Sequence, residues 1–97
     1  MDRVVNFHIM FFYVYIINSQ KNNKMYVGYS SDLRKRIEEH NSGKNKSTKI
    51  GIPWRLVYYE ACLHEGDAYR REKYLKTSQG MRLIKSRIKE YLYTCRL

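Results

Sequence analysis

Residues 11–29 constrain the fold more than any other stretch of this sequence. Residues 11–18, FFYVYIIN, are aromatic and β-branched with no turn former inside, so they predict a strand. Both alternating sets of side chains are apolar, which is typical of a central strand covered on both sides. Residues 19–23 are turn formers, and residues 24–29, KMYVGY, resume a strand pattern. The stretch therefore predicts an antiparallel hairpin at the centre of the fold.

The register of this hairpin decides where its two tyrosines, Tyr15 and Tyr26, lie. A connecting loop over residues 19–22 would place them directly opposite each other on one face, with Cβ atoms about 5 Å apart. A shift by one residue would put them on different faces. We expect the two phenols to stand side by side, and the observed register tests that expectation.

The rest of the chain predicts one more strand and three helices. These elements are a helix over about 33–41 after N-cap residues 30–32, a strand over 53–59, a helix over about 67–78, and a last helix over about 81–93. Gly43 is the expected stop of the first helix and Gly80 that of the second. An apolar stripe in the last helix predicts core packing: Met81, Ile84, Ile88 and Leu92. The order β-β-α-β-α-α indicates an α+β domain, a small sheet covered by helices.

Length and charge narrow the class of protein. The 97 residues indicate one domain with a core over about 10–92, and residues 1–9 are interpreted as an optional N-terminal extension. A net charge of +10 favours a polyanionic partner, with nucleic acid first and an anionic membrane surface second. The alternative is a merely soluble basic protein. No apolar run approaches the ~20 residues that span a bilayer, and Cys62 and Cys95 lack zinc-site spacing and suit the cytoplasm.

Basic side chains follow the first helix and recur near the end of the second. Residues 44–51, KNKSTKIG, are interpreted either as a mobile loop that tracks phosphates or as a solvated linker. The basic residues expected to contact nucleic acid are Lys35, Lys44, Lys46, Lys49, Arg70, Lys73 and Lys76.

Glu72 is the most informative carboxylate. In a helix over 67–78 it shares the inward face with Ala68 and Leu75, since it lies four residues after one and three before the other. An inward carboxylate needs a partner because an unpaired buried charge is costly. That partner is either Lys76 at i+4 or a hard divalent cation bound to phosphate oxygens.

Four side chains of the hairpin and first helix suit phosphodiester cleavage. Tyr15 and Tyr26 could position or deprotonate water if a basic setting with Arg36 and a metal lowers the phenol pKa from its usual value near 10. Arg36 offers a planar fork for phosphate oxygens, and His40 an acid, a base or a phosphate contact. Each also has an ordinary alternative: packing tyrosines, a solvated arginine, a satisfied core histidine. The presence of all four side chains in a chain of net charge +10 favours a catalytic site over these alternatives.

At these residues the sequence resembles the GIY-YIG nuclease superfamily, named for two short strand motifs about ten residues apart. Here they are YVY at 13–15 and YVG at 26–28, and residues 29–41 look like the family's helix. The resemblance covers about residues 10–92. It is especially like the small single-domain bacterial proteins related to the endonuclease domain of excinuclease.

The resemblance implies a three-stranded antiparallel sheet flanked by helices, and hydrolysis of DNA with one Mg²⁺ or Mn²⁺ held by Glu72. It implies that Tyr26 or Tyr15 acts as general base for water. Arg36 would stabilise the transition state, and the family's histidine corresponds to His40.

Gly28 lets the backbone pass close to this site, as glycine inside a strand often does. The sequence departs from the family pattern at position 13, where Tyr13 replaces the glycine of the first motif. It also departs at Gln79 and Arg82, where some members have an asparagine.

The resulting hypothesis is a cytoplasmic, metal-dependent DNA endonuclease of DNA repair or processing, with protein partners and oligomeric state left open. The alternative is a nucleic-acid-binding module that keeps the fold with little or no cleavage. Glu72 and Arg36 favour the enzyme, because a pure binder has no need for an inward carboxylate. We further expect Tyr15 and Tyr26 to line one concave, positively charged face together with these two residues.

Overall fold

The computed structural model describes residues 9–95, which form a three-stranded sheet with helices on both faces. The elements in order are β1, Phe12–Ser19; β2, Met25–Ser30; α1, Leu33–Asn41; a 3₁₀ turn, Lys49–Gly51; β3, Trp54–Cys62; α2, Glu65–Leu75; α3, Ser78–Arg87; and α4, Lys89–Thr94. The α+β class is confirmed. The extension interpreted over residues 1–9 lies, except for Ile9, outside the described residues. No described helix has the length and apolar character to cross a membrane.

Strand β1 is the central strand, as its two apolar faces predict. The sheet order is β2-β1-β3, and β1 pairs antiparallel with both neighbours. Val14 and Ile16 point to one face and Tyr15 and Ile17 to the other, and all four are at most 1% exposed. Strands β2 and β3 are therefore the two edges of the sheet.

The hairpin register differs from direct opposition of the two tyrosines. Tyr15 pairs with Gly28, and Tyr26 pairs with Ile17, so the phenols are offset by two residues. An even offset keeps both side chains on the same face. The longer connection includes Asn23 at a φ of 62°, a left-handed conformation that asparagine tolerates.

Two clusters of side chains form the core, one on each face of the sheet. The aliphatic cluster lies under α2, α3 and α4 and comprises Val14, Ile16, Val27, Ala68, Leu75, Ile84 and Ile88. The aromatic cluster lies under α1 and comprises Tyr15, Ile17 and Trp54, with Tyr26, Leu33, Ile37, Ile52 and Leu56 packed around them. The predicted apolar stripe is confirmed, because each of its four residues belongs to the aliphatic cluster or packs against it.

The helix boundaries near Gly80 were predicted wrongly. Helix α2 ends at Leu75, and Thr77 caps α3 by accepting a hydrogen bond from the Gly80 amide. A Cβ on Gly80 would lie 2.1 Å from the carbonyl oxygen of Tyr74, so this glycine permits close helix packing rather than ending a helix. The predicted last helix is divided at Ile88, which makes four helices instead of three.

Candidate active site

A buried tyrosine–histidine pair lies at the centre of the aromatic cluster. The hydroxyl of Tyr15 is 2.7 Å from Nε2 of His40, which α1 presents to the sheet. Tyr15 is 1% exposed and His40 0% exposed. His40 therefore reaches no phosphate in this arrangement, and both groups can act only from behind other side chains.

Gly28 makes room for this pair. A Cβ built on Gly28 would lie 2.3 Å from both Cζ and the hydroxyl oxygen of Tyr15. The phenol of Tyr15 thus occupies the space above β2 that any other residue at position 28 would fill. The predicted close approach at Gly28 is made by this ring, which passes over the edge strand.

The loop after α1 is anchored, in contrast to the free loop or linker expected over residues 44–51. Thr48 is 1% exposed, and its hydroxyl lies 2.7 Å from Nδ1 of His40. The indole N–H of Trp54 donates to the Thr48 carbonyl at 2.7 Å, and the Ser19 hydroxyl donates to the Gly51 carbonyl at 2.6 Å. This polar segment is therefore held against the aromatic cluster by buried hydrogen bonds.

Sequence reasoning missed two residues of this arrangement, Thr48 and Asn41. The amide side chain of Asn41 donates to the Trp54 carbonyl at 2.9 Å and accepts from the Trp54 amide at 2.6 Å, which ties the end of α1 to β3. Both residues act across a turn on groups that have no periodic relation to them. No local pattern in the sequence signals either contact.

Tyr26 and Arg36 are the more accessible members of the site. The ring of Tyr26 is partly buried, with its centroid 5.1 Å from that of His40 and 6.4 Å from that of Trp54. The side chain of Arg36 is 40% exposed, and its Nε lies 3.7 Å from Glu39. A substrate phosphate can therefore approach the guanidinium and the outer phenol without disturbing the buried pair.

Burial dominates the electrostatics of Tyr15 and His40. It raises the pKa of Tyr15, with a further increase from Tyr26 and a smaller decrease from Arg36. Arg36 on its own therefore does not offset burial, and the pKa of Tyr15 stays above its ordinary value. Burial, and then the charge of Arg36, lower the pKa of His40. At neutral pH both groups are uncharged.

Glu72 lies on the helix that covers the other face of the sheet. Helix α2 packs there through Ala68 and Leu75, which belong to the aliphatic cluster. Tyr15 and Tyr26 belong to the aromatic cluster. Helix α2 and the two tyrosines therefore pack on opposite faces of the sheet, and a common concave face for all of these groups stays a prediction.

The open edge of β2 connects Glu72 to the site. Tyr29 of β2 donates a hydrogen bond to Glu65 of α2, and its ring lies 5.7 Å from that of Tyr69. Residues 65, 69 and 72 share one side of a helix, so this side of α2 faces β2. The charge of Glu72 adds to the raised pKa of Tyr15, after the larger effect of burial. Glu72 therefore lies close enough to Tyr15 for its charge to act on the phenol.

The donor set at Glu72 suits a hard divalent cation. Its side chain is 14% exposed, and a carboxylate oxygen lies 3.0 Å from Nζ of Lys76, the i+4 pair that the sequence allowed. Among residues 9–95 no three His, Cys, Asp or Glu side chains gather into a metal cluster. Mg²⁺ characteristically keeps several waters and uses one or two carboxylates together with substrate phosphates. A single carboxylate fits that pattern.

The predicted nucleic-acid contacts are all exposed residues: Lys35, Lys44, Lys46, Lys49, Arg70, Lys73 and Lys76. The first four lie on α1 or the anchored loop, and the last three lie on or directly after α2. Arg70 pairs with Asp67 at 2.9 Å, and Nζ of Lys73 lies 5.5 Å from the Tyr69 ring centroid. The basic side chains thus lie on elements that cover both faces of the sheet.

The chain is similar in sequence to known proteins over most of its length. The family model described as the GIY-YIG catalytic domain matches residues 11–85. A UPF0213 protein of Staphylococcus saprophyticus is 39% identical over 74 residues, which cover 75% of this chain and 89% of the relative. UPF0213 proteins of Staphylococcus haemolyticus and Staphylococcus aureus are 40% and 38% identical over 79 residues, which cover 77% of this chain and 95% of each relative. No solved structure gave a significant match.

Proposed function

Because this chain belongs to the GIY-YIG family, we propose that it is a metal-dependent endonuclease that hydrolyses phosphodiester bonds of DNA. The observation that carries the proposal is the convergence of four side chains on Tyr15. His40 hydrogen-bonds to it, Tyr26 packs on His40, and the charges of Arg36 and Glu72 both act on the Tyr15 phenol. The net charge of +10 supports a polyanionic substrate.

The exposure of each side chain decides the catalytic role that we assign to it. Tyr26, rather than Tyr15, is assigned to the attacking water, because Tyr15 is buried and its pKa is raised. Arg36 donates to phosphate oxygens and stabilises the charge that develops on them in the transition state. Tyr15 and His40 hold the inner wall of the site.

Glu72 would hold one Mg²⁺ or Mn²⁺. A bound divalent cation polarises the phosphate and neutralises charge on the oxygens around phosphorus. Glu72 would hold the cation on the side of α2 that faces β2, and Lys76, its exposed partner, would contact DNA. We place the enzyme in the cytoplasm, in DNA repair or processing, where the two free thiols of Cys62 and Cys95 are stable.

Cleavage of plasmid and branched DNA tests the proposal. Substrates are incubated with Mg²⁺ or Mn²⁺ over a range of salt, with the wild type, Arg36→Ala and Glu72→Ala. Each substitution is expected to slow cleavage about 10²- to 10³-fold, the usual cost of removing one transition-state contact. The matched controls Arg34→Ala and Glu38→Ala remove the same residue types at exposed positions of α1 and are expected to keep wild-type rates.

A wild type that leaves every substrate intact with both metals would overturn the proposal. Variants at Arg36 and Glu72 that cut as fast as the wild type would do the same.

The second candidate is a DNA-binding module without cleavage. The pairing of Glu72 with Lys76 favours it, because this salt bridge satisfies the carboxylate without any metal. Such a module would bind DNA with an affinity that falls steeply with salt, yet would cut none of the substrates.

A further inference from the structure

A third side chain, Thr48, hydrogen-bonds to the buried Tyr15–His40 pair. Both ring nitrogens of His40 are hydrogen-bonded. Nε2 lies 2.7 Å from the Tyr15 hydroxyl, and Nδ1 lies 2.7 Å from the Thr48 hydroxyl. The Thr48 hydroxyl in turn lies 3.4 Å from the carbonyl oxygen of Asn45. These contacts form one chain from β1 through α1 to the anchored loop, and all three side chains are at most 1% exposed.

Only one arrangement of protons satisfies every donor in this chain. If Tyr15 donates to Nε2, then Nδ1–H donates to Thr48 and the Thr48 hydroxyl donates to the carbonyl of Asn45. In the reverse arrangement Thr48 donates to Nδ1 and Nε2–H donates to Tyr15. The Tyr15 hydrogen then has no other acceptor within the described part of the chain, which is costly at a buried position.

We propose that Thr48 is a positioning residue that holds His40 in the Nδ1–H tautomer. The carbonyl of Asn45 fixes the direction of the Thr48 hydroxyl, and the hydroxyl accepts the Nδ1 proton. Nε2 is then left as the acceptor for Tyr15.

The tautomer decides what Tyr15 offers to the rest of the site. With its hydrogen directed inward to Nε2, the phenol oxygen has only lone pairs on its outer side. The phenol therefore cannot donate a hydrogen bond to a phosphate. The opposite tautomer would reverse this role. This catalytic consequence depends on the proposed nuclease function, whereas the tautomer itself does not.

The environment of His40 keeps the ring neutral, as a defined tautomer requires. The rings of Tyr15 and Tyr26 face it from the sheet, Thr48 faces it from the loop, and Arg36 and Glu39 flank it on α1. Burial and Arg36 lower the pKa of His40, and the opposing effect of Glu39 is smaller.

Nitrogen-15 NMR of the His40 ring in the whole protein at about pH 7.5, above the ordinary histidine pKa, tests the tautomer directly. The wild type is expected to show a protonated Nδ1 and an unprotonated Nε2. Thr48→Val removes the hydroxyl at nearly constant shape and is expected to shift the ring signals toward the other tautomer or a mixture. Thr48→Ser keeps the hydroxyl and is expected to restore the wild-type pattern. Thr94→Val makes the same change at an exposed position of α4 and leaves the signals unchanged.

The cleavage assay supplies the second readout. Thr48→Val is expected to lower kcat about two- to tenfold, the equivalent of one buried hydrogen bond, with KM unchanged and with recovery in Thr48→Ser. A purely structural role would lower the thermal midpoint of Thr48→Val but would leave the ring tautomer as in the wild type.

A protonated Nε2 in the wild type, or ring signals that Thr48→Val does not move, would overturn the inference whatever the cleavage assay gives. A wild type with the expected tautomer that cuts no DNA would instead overturn the proposed function and leave the positioning of His40 standing.

Discussion

The two faces of the sheet are covered by different types of side chain. The aliphatic cluster under α2, α3 and α4 contains only hydrocarbon side chains at its buried positions. The aromatic cluster under α1 surrounds a hydrogen-bonded chain of a phenol, an imidazole and a hydroxyl. Strand β1 belongs to both, since its odd residues contribute to one cluster and its even residues to the other.

This difference shows how a small domain separates stability from function. Hydrocarbon packing is non-directional and tolerates shifts, so the aliphatic cluster can supply the free energy of folding. A hydrogen-bonded chain requires fixed positions and loses free energy when any member is left without a partner. The aliphatic cluster holds α2, and with it Glu72, in place, and the aromatic cluster holds Tyr15 and Tyr26, which we propose belong to the active site.

Of the changes considered, Tyr26→Phe is expected to have the largest effect on activity relative to its effect on stability. The change keeps the ring that packs on His40 and Trp54 and removes only the hydroxyl. We expect cleavage to slow about 10²- to 10⁴-fold, the usual contribution of a positioned acid–base group, with little change in thermal midpoint. Steady-state cleavage and thermal unfolding measure both. The control Tyr93→Phe alters an exposed tyrosine and keeps full activity. Activity of Tyr26→Phe close to that of the wild type would remove Tyr26 from the chemistry.

Leu75→Ala tests the aliphatic cluster. Leu75 is fully buried, so its truncation leaves a cavity and is expected to lower the free energy of unfolding by about 2–5 kcal/mol. Urea denaturation measures the loss, and the fraction that stays folded is expected to cleave at the wild-type rate. Leu63→Ala, at a position 67% exposed, provides the matched control with a change within about 0.5 kcal/mol. A selective loss of kcat in folded Leu75→Ala would show that the two faces are not separate.

Gly28→Ala is expected to affect stability and activity together, because it acts on the Tyr15 ring. The new Cβ would lie 2.3 Å from the phenol oxygen, so the ring must move away from His40. We expect a loss of about 1–3 kcal/mol, the usual cost of overpacking, together with slower cleavage. In the control Gly66→Ala, the nearest atom is the flexible His64 ring at 3.3 Å. A Gly28→Ala protein as stable and active as wild type would show that the phenol need not occupy this space.

Acid pH is expected to weaken the aromatic cluster more gradually. Burial and Arg36 lower the pKa of His40 in the folded protein, whereas the unfolded chain takes up the proton near pH 6.5. The contribution of neutral His40 is therefore complete above that pH and is lost as the pH falls toward the folded pKa, by at most about 1.4 kcal/mol per pH unit. Urea denaturation between about pH 7.5 and 5, which brackets the ordinary histidine pKa, and an NMR titration of His40 test this. A titration midpoint at or above about 6.5, the unperturbed value, would contradict it.

Local sequence signals identified most of the fold. The hairpin, the N-cap of α1 at Asp32 and the positive φ of Gly43 follow from side-chain types and their immediate neighbours. The inward face of α2 was also predictable, because Ala68 and Leu75 mark it by helical spacing. The boundary between α2 and α3 was not, since the glycine in α3 is required by contact with a neighbouring helix.

The sequence by itself determined which residue types are present for phosphodiester chemistry and which faces of their elements they occupy, because strand and helix periodicities are local properties. The tertiary structure alone decided the two-residue offset of Tyr15 and Tyr26, the placement of α2 on the far face, and the role of Thr48. These depend on packing between segments distant in the chain, as in the contact of Tyr15 with His40 across 25 positions. Residues 13–40 thus supply most of the site, and only the folded sheet determines that Glu72 approaches it around an open edge.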